Sequence, residues 1–116
     1  MYEYRATIVR HIDGDTTIAG LQLGLDVEIK TILRWYGINA PERFTPEGKA
    51  ATAAVNQMLP VGAVCTVHTY KDDKREKYGR YLATFILDDG TNLNQWMVDQ
   101  GHAVPFMVSG LKEANV

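Results

Sequence analysis

The feature that most constrains the fold is a change of period near Thr45. Before it the chain reads as strands, and Thr45-Pro46-Glu47 is a helix start: a hydroxyl N-cap, a proline at the first helical position and an acid in the first turn. Ahead of that switch, Ala6 to Ile12 is rich in β-branched residues and ends in the tight turn Asp13-Gly14-Asp15. Thr16 to Leu23 continues as a second strand. Its leucines Leu21, Leu23 and Leu25 recur at period two, as in a half-buried strand or an extended hairpin arm. Val27 to Tyr36 is a third strand. Behind the switch, Lys49 to Leu59 forms the helix body, with Ala50, Ala54 and Met58 expected on one stripe and Pro60 as the stop. Ala63 to Tyr70 and Arg80 to Leu87 read as two more strands, and Asn92 to Gln100 as a second helix with Gly101 as its C-cap. The expected class is mainly β with α: strand-strand-strand-helix-strand-strand-helix, the connectivity of a five-stranded OB-fold barrel.

At 116 residues the chain is expected to form a single domain over 1–116. No apolar run approaches the roughly 18–20 residues of a membrane span. The start Met1-Tyr2-Glu3-Tyr4-Arg5 lacks the basic and apolar stretches of a secretory leader, so the chain as given reads as cytoplasmic. A secreted form with its leader removed would look the same. The single cysteine, Cys65, excludes an intrachain disulfide and reads as a small buried hydrophobe. A net charge of −2 and a pI near 5.9 argue against passive, charge-driven binding to nucleic acid. The exception is residues 71–80, with five basic and three acidic side chains.

Three segments carry chemistry. In Ile12-Asp13-Gly14-Asp15-Thr16, Asp15 reads either as a solvated turn acid or as a metal ligand pointing into the barrel mouth, with Thr16 in support. In Arg34 to Glu42, Arg34 lies among apolar and aromatic neighbours, where a planar fork suits a phosphate clamp or a structural salt bridge. The turn Asn39-Ala40-Pro41-Glu42 projects one polar side chain at each end. In Lys77-Tyr78-Gly79-Arg80, Arg80 reads as a second clamp or as part of a charged hairpin loop. His11, His68 and His102 show no metal-ligand spacing and read as structural or surface residues, and Trp35, Trp96 and Phe85 as core.

Jointly these segments resemble the motifs of the staphylococcal nuclease, or thermonuclease, family. Tyr36 to Glu42, Lys77 to Ala83, and Asn92-Leu93-Asn94 with Gly101-His102-Ala103 extend the likeness over about residues 5–106. The resemblance implies a metal-dependent phosphodiesterase that cleaves DNA and RNA, single-stranded or frayed, and leaves 3′-phosphate ends. It implies calcium held by Asp15, Asn39 and the Ala40 carbonyl; catalysis by Arg34, Glu42 and Arg80; and phosphate contacts from Lys77 and Tyr78. Glu42 then orients a water or accepts its proton. Two departures stand out. Asn39 is neutral where the classical members carry an aspartate, which predicts weaker or altered metal binding, although calcium accepts amide oxygens. Val104 to Val108 lacks the tyrosine pair that flanks the nucleotide. The competing reading is a non-catalytic OB-fold module that binds nucleic acid.

Overall fold

A computed structural model describes residues 2–70 and 81–106. The chain runs β1 (Tyr2–Asp13), β2 (Thr16–Gly24), β3 (Val27–Trp35), β4 (Ile38–Asn39), α1 (Pro46–Met58), β5 (Val64–Tyr70), β6 (Tyr81–Ile86), α2 (Leu93–Asp99) and β7 (Val104–Pro105). Five strands close a barrel in the order β1-β2-β3-β6-β5. All neighbours are antiparallel except β3 and β6, which run parallel with Arg34 beside Leu82. This is the expected five-stranded barrel with a helix after its third strand. The short strands β4 and β7 add a separate ribbon, pairing Ile38 with Pro105 and Asn39 with Val104. No helix among the described residues is long and apolar enough to cross a membrane.

The barrel is filled by the alternate residues of each strand. Leu33 and Trp35 of β3 are buried, so Arg34 between them faces outward. Trp35 stacks on Phe85 with ring centroids 4.2 Å apart, at the centre of a core that includes Ile8, Val67, Leu93 and Met97. Each such side chain contributes roughly 1.5–3 kcal/mol by leaving water. Cys65 is buried, as expected, and burial pushes its thiol up to about 11. The leucine run divides: Leu21 is buried, whereas Leu25, at φ 54°, is 98% exposed at the tip of the β2–β3 hairpin.

Helix α1 begins and ends where its local chemistry dictates. Thr45 is extended, its hydroxyl accepts from the Gly48 N–H at 3.0 Å, and Pro46 occupies the first turn. The fully buried stripe is Gly48, Ala51 and Val55, followed by Leu59, while Ala54 and Met58 are partly buried against the core and Ala50 is exposed. In an alanine-rich helix the alanines do not choose a face. Branched Val55 and the bare Gly48 do, because they permit the helix to lie close to the chain beneath it. Gly14 makes the matching concession: a Cβ there would lie 2.9 Å from Ala40 Cβ and 3.0 Å from Ala51 Cβ. Its φ is not positive, so this glycine serves close packing rather than turn geometry.

Two buried polar groups tie the layers together. Asn94 of α2 accepts from the Phe85 N–H and donates to the carbonyls of Tyr36 and Ala83, all at 2.9–3.1 Å. His11 bridges β1 to the end of α1. Its Nε2–H donates to the Leu59 carbonyl at 2.6 Å, which leaves Nδ1 to accept from the Thr17 hydroxyl at 2.8 Å. That hydroxyl accepts in turn from Trp35 Nε1–H at 2.9 Å. Acceptance at Nδ1 requires a neutral imidazole, and burial, opposed by the Leu59 hydrogen bond, holds the pKa of His11 below its ordinary 6.5. The unfolded chain therefore takes up this proton first. The stability contributed by His11 is complete above about pH 6.5 and is lost as the pH falls below it. NMR titration of the ring should show the Nε2–H tautomer persisting below pH 6.5. A midpoint at or above 6.5 would contradict the network.

Candidate active site

The site forms where the β1–β2 turn meets the end of β3 and the segment that follows β4. The turn is closed locally, with the Asp15 N–H donating to Asp13 Oδ1 at 3.1 Å. Register then sets the neighbours: Thr16 pairs with Arg34, and the Trp35 N–H donates to the Asp15 carbonyl at 2.9 Å. The Asp15 carboxylate is almost buried. Its Oδ2 accepts from the Ala40 N–H at 2.8 Å and lies 3.1 Å from Arg34 Nη1, and Oδ1 accepts from the Thr16 hydroxyl at 3.3 Å. The carboxylate is thus paired with Arg34 near the end of β3. Thr16 does support it, as expected.

Arg34 is held on several sides. Nη1 also donates to the carbonyls of Trp35 and Asp15 at 3.3 and 3.4 Å, and Nη2 to Asn39 Oδ1 at 3.3 Å. The Phe106 ring lies under the guanidinium, 5.7 Å from its centroid to Cζ. The Phe106 N–H donates to the Gly37 carbonyl at 2.8 Å, continuing the pairing of the β4–β7 ribbon. Sequence reasoning missed this contact. It depends on a two-residue strand pair between distant segments, which leaves no periodic trace.

Asp15, Arg34, Asn39 and Ala40 are thus brought together by direct contacts. Glu42 lies two residues beyond Ala40 on an exposed turn, and its side chain has no hydrogen bond or ion pair among the described residues. Its backbone is well anchored. The Glu42 carbonyl accepts from the Thr45 N–H at 3.0 Å and from the Thr45 hydroxyl at 2.7 Å. Gly48 lies directly beneath, where a Cβ would be 1.9 Å from that carbonyl oxygen. Lys77, Tyr78 and Arg80 lie outside the described residues.

Burial raises the pKa of Asp15 to about 6, reinforced by the neighbouring Asp13 carboxylate and opposed by the Ala40 N–H and Arg34. The arginine and the amide do not fully compensate this carboxylate, and a cation against it would favour its ionised form. The donors expected from the sequence are hard oxygens: the Asp15 carboxylate, the Asn39 amide oxygen and the Ala40 carbonyl. That set fits calcium and does not fit a soft metal. Among the described residues no three His, Cys, Asp or Glu side chains gather into a metal site.

The chain is 30% identical over 117 residues to "Endonuclease YhcR" of Bacillus subtilis (strain 168), a match covering 91% of this chain and 9% of that protein. It is 32% identical over 96 residues to an "Uncharacterized endonuclease" of Escherichia coli O157:H7, covering 83% of this chain and 57% of the relative. The chain therefore spans under a tenth of one relative and somewhat over half of the other. Residues 32–115 match the family described as "Staphylococcal nuclease homologue", a span that begins just before Arg34 and includes Asn39, Glu42 and the Lys77-to-Arg80 segment. Asp15 lies ahead of that span and is tied to it by the Thr16–Arg34 pairing. With nearly three-quarters of its length matched and the barrel in place, the chain belongs to the staphylococcal nuclease homologue family.

Proposed function

We propose that this chain is a calcium-dependent nuclease that hydrolyses phosphodiester bonds of DNA and RNA and leaves 3′-phosphate ends. The observation that carries the reading is the fixed guanidinium of Arg34, held on the outer wall beside an undercompensated carboxylate and an amide oxygen. Asp15, Asn39 and the Ala40 carbonyl would hold the calcium, which when bound supplies Lewis-acid polarisation of a phosphoryl oxygen.

The side chains divide the remaining work. Arg34 donates its free N–H groups to phosphate oxygens that gain charge in the transition state. Its orientation is set beforehand by Asn39, the two backbone carbonyls and Phe106, so little reorganisation is needed. Glu42, exposed on a pinned turn, orients the attacking water or accepts its proton. As the water oxygen bonds to phosphorus, the bond to the 5′ oxygen breaks and the phosphate remains on the 3′ side. Arg80, assigned by its motif, supports the departing 5′ oxygen, and Lys77 and Tyr78 contact the phosphate.

The test is digestion of single-stranded DNA and of RNA at millimolar calcium, with a chelator control and analysis of the product ends. Chelator-sensitive cleavage to 3′-phosphates is expected. Neutral Asn39 keeps a second reading in view, the non-catalytic binding module. Tight binding without cleavage at millimolar calcium would establish that reading instead.

A further inference from the structure

We propose that the turn carrying Glu42 also begins an extended binding track for single-stranded polynucleotide, formed by Arg43, Phe44 and Lys49. This rests on the nuclease reading above and extends it beyond the scissile phosphate. The Glu42–Thr45 hydrogen bond closes a four-residue turn with Arg43 and Phe44 in its two central positions. Both are exposed, and Phe44 keeps 70% of its surface in water. The Arg43 Cζ lies 4.6 Å from the Phe44 ring centroid. Together with Lys49, Thr52, Asn56 and Ile12 they line an open groove of about 550 Å³ between α1 and β1.

A single exposed phenylalanine is ordinary. This one is distinguished by its setting. It sits on a turn that the Thr45 hydrogen bonds and the Gly48 contact make rigid, so its exposure is built in. Neither Arg43 nor Lys49 has a carboxylate partner among the described residues, in a chain whose net charge is −2. Two cations without a carboxylate partner among the described residues, beside an exposed aromatic ring, are the elements that hold single strands: phosphates on the cations, a base on the ring face that Arg43 leaves open. Continuity with Glu42 favours a polynucleotide over an acidic peptide, because the next nucleotides of a strand placed at Arg34 and Glu42 must pass over this turn or away from it.

The experiment measures fluorescence anisotropy of labelled 4- and 12-nucleotide strands with the full chain in EDTA, so that no turnover intervenes. In wild type the 12-mer should bind more tightly than the 4-mer. Phe44→Ala should weaken 12-mer binding about tenfold, as expected for one lost base stack. Arg43→Gln/Lys49→Gln should reduce the slope of log affinity against log salt by about 1.4, for two lost phosphate contacts. Wild-type affinity and salt slope in these variants would overturn the track, as would a wild type that does not bind the 12-mer. Displacement of the 12-mer by polyglutamate as readily as by unlabelled strand would overturn the choice of partner. Cleavage of the 12-mer at millimolar calcium is scored separately. Loss of affinity in the variants without wild-type cleavage retains the track and sinks the nuclease reading. Cleavage with unchanged affinities does the reverse.

Discussion

Replacing Arg34 with alanine is expected to lower kcat/KM for phosphodiester cleavage by roughly 10²–10³-fold, the scale of losing one preorganised donor to a developing oxyanion. The substitution also acts on the fold. Arg34 is the cation beside a nearly buried carboxylate, and removing it leaves Asp15 with the Ala40 N–H and the Thr16 hydroxyl as partners. Breaking a buried pair from one side is costly, so the melting temperature should fall as well. Arg34→Lys separates the two effects. An ammonium restores a positive charge near Asp15 but cannot reproduce the fork, which now reaches Asp15, Asn39 and two carbonyls at once. Lysine should therefore recover much of the stability and little of the rate. Steady-state kinetics on a defined oligonucleotide, with thermal melts of the same preparations, decide the point. Near-wild-type turnover in either variant would remove Arg34 from the chemistry.

What was legible in the sequence depended on how local its cause was. The limits of α1 could be read because Thr45, Pro46 and Pro60 act within a few residues of themselves. The barrel could be read because alternation is a property of each strand and the helix interrupts the strands at one place. The buried face of α1 could not be read, because alanines at 50, 51, 53 and 54 leave the pattern undecided until Gly48 meets the Glu42 backbone. The partners of Asp15 could not be read for a related reason. One of them is the Ala40 N–H, 25 positions away, which no pattern around Asp15 encodes. The same holds for Phe106, which reaches Arg34 through a pairing of two residues with two. Residue identities at the site could be listed from the motifs. Their contacts required the closed barrel.

Gly48→Ala is expected to lose both stability and activity, although on an isolated helix it would be favourable. Alanine for glycine in a helix interior gains about 1 kcal/mol from propensity. Here the added Cβ meets the Glu42 carbonyl oxygen at 1.9 Å, the Glu42 carbonyl carbon at 2.5 Å and Arg43 Cα at 2.8 Å. All three are backbone atoms, so no side chain can swing aside, and either the turn or the helix must move. Such overpacking costs about 1–3 kcal/mol, before the strain on the Thr45 cap that bonds to both Glu42 and Gly48. The overlap exceeds the propensity gain, and a net loss follows. The turn carries Glu42, and a displacement of about 1 Å in the group proposed to meet the attacking water can cost on the order of 10²-fold in rate. Cleavage assays well below the measured melting temperature isolate that second effect. A folded Gly48→Ala protein with wild-type turnover would show that the position of Glu42 does not limit the reaction, and would remove it as the residue that handles the water.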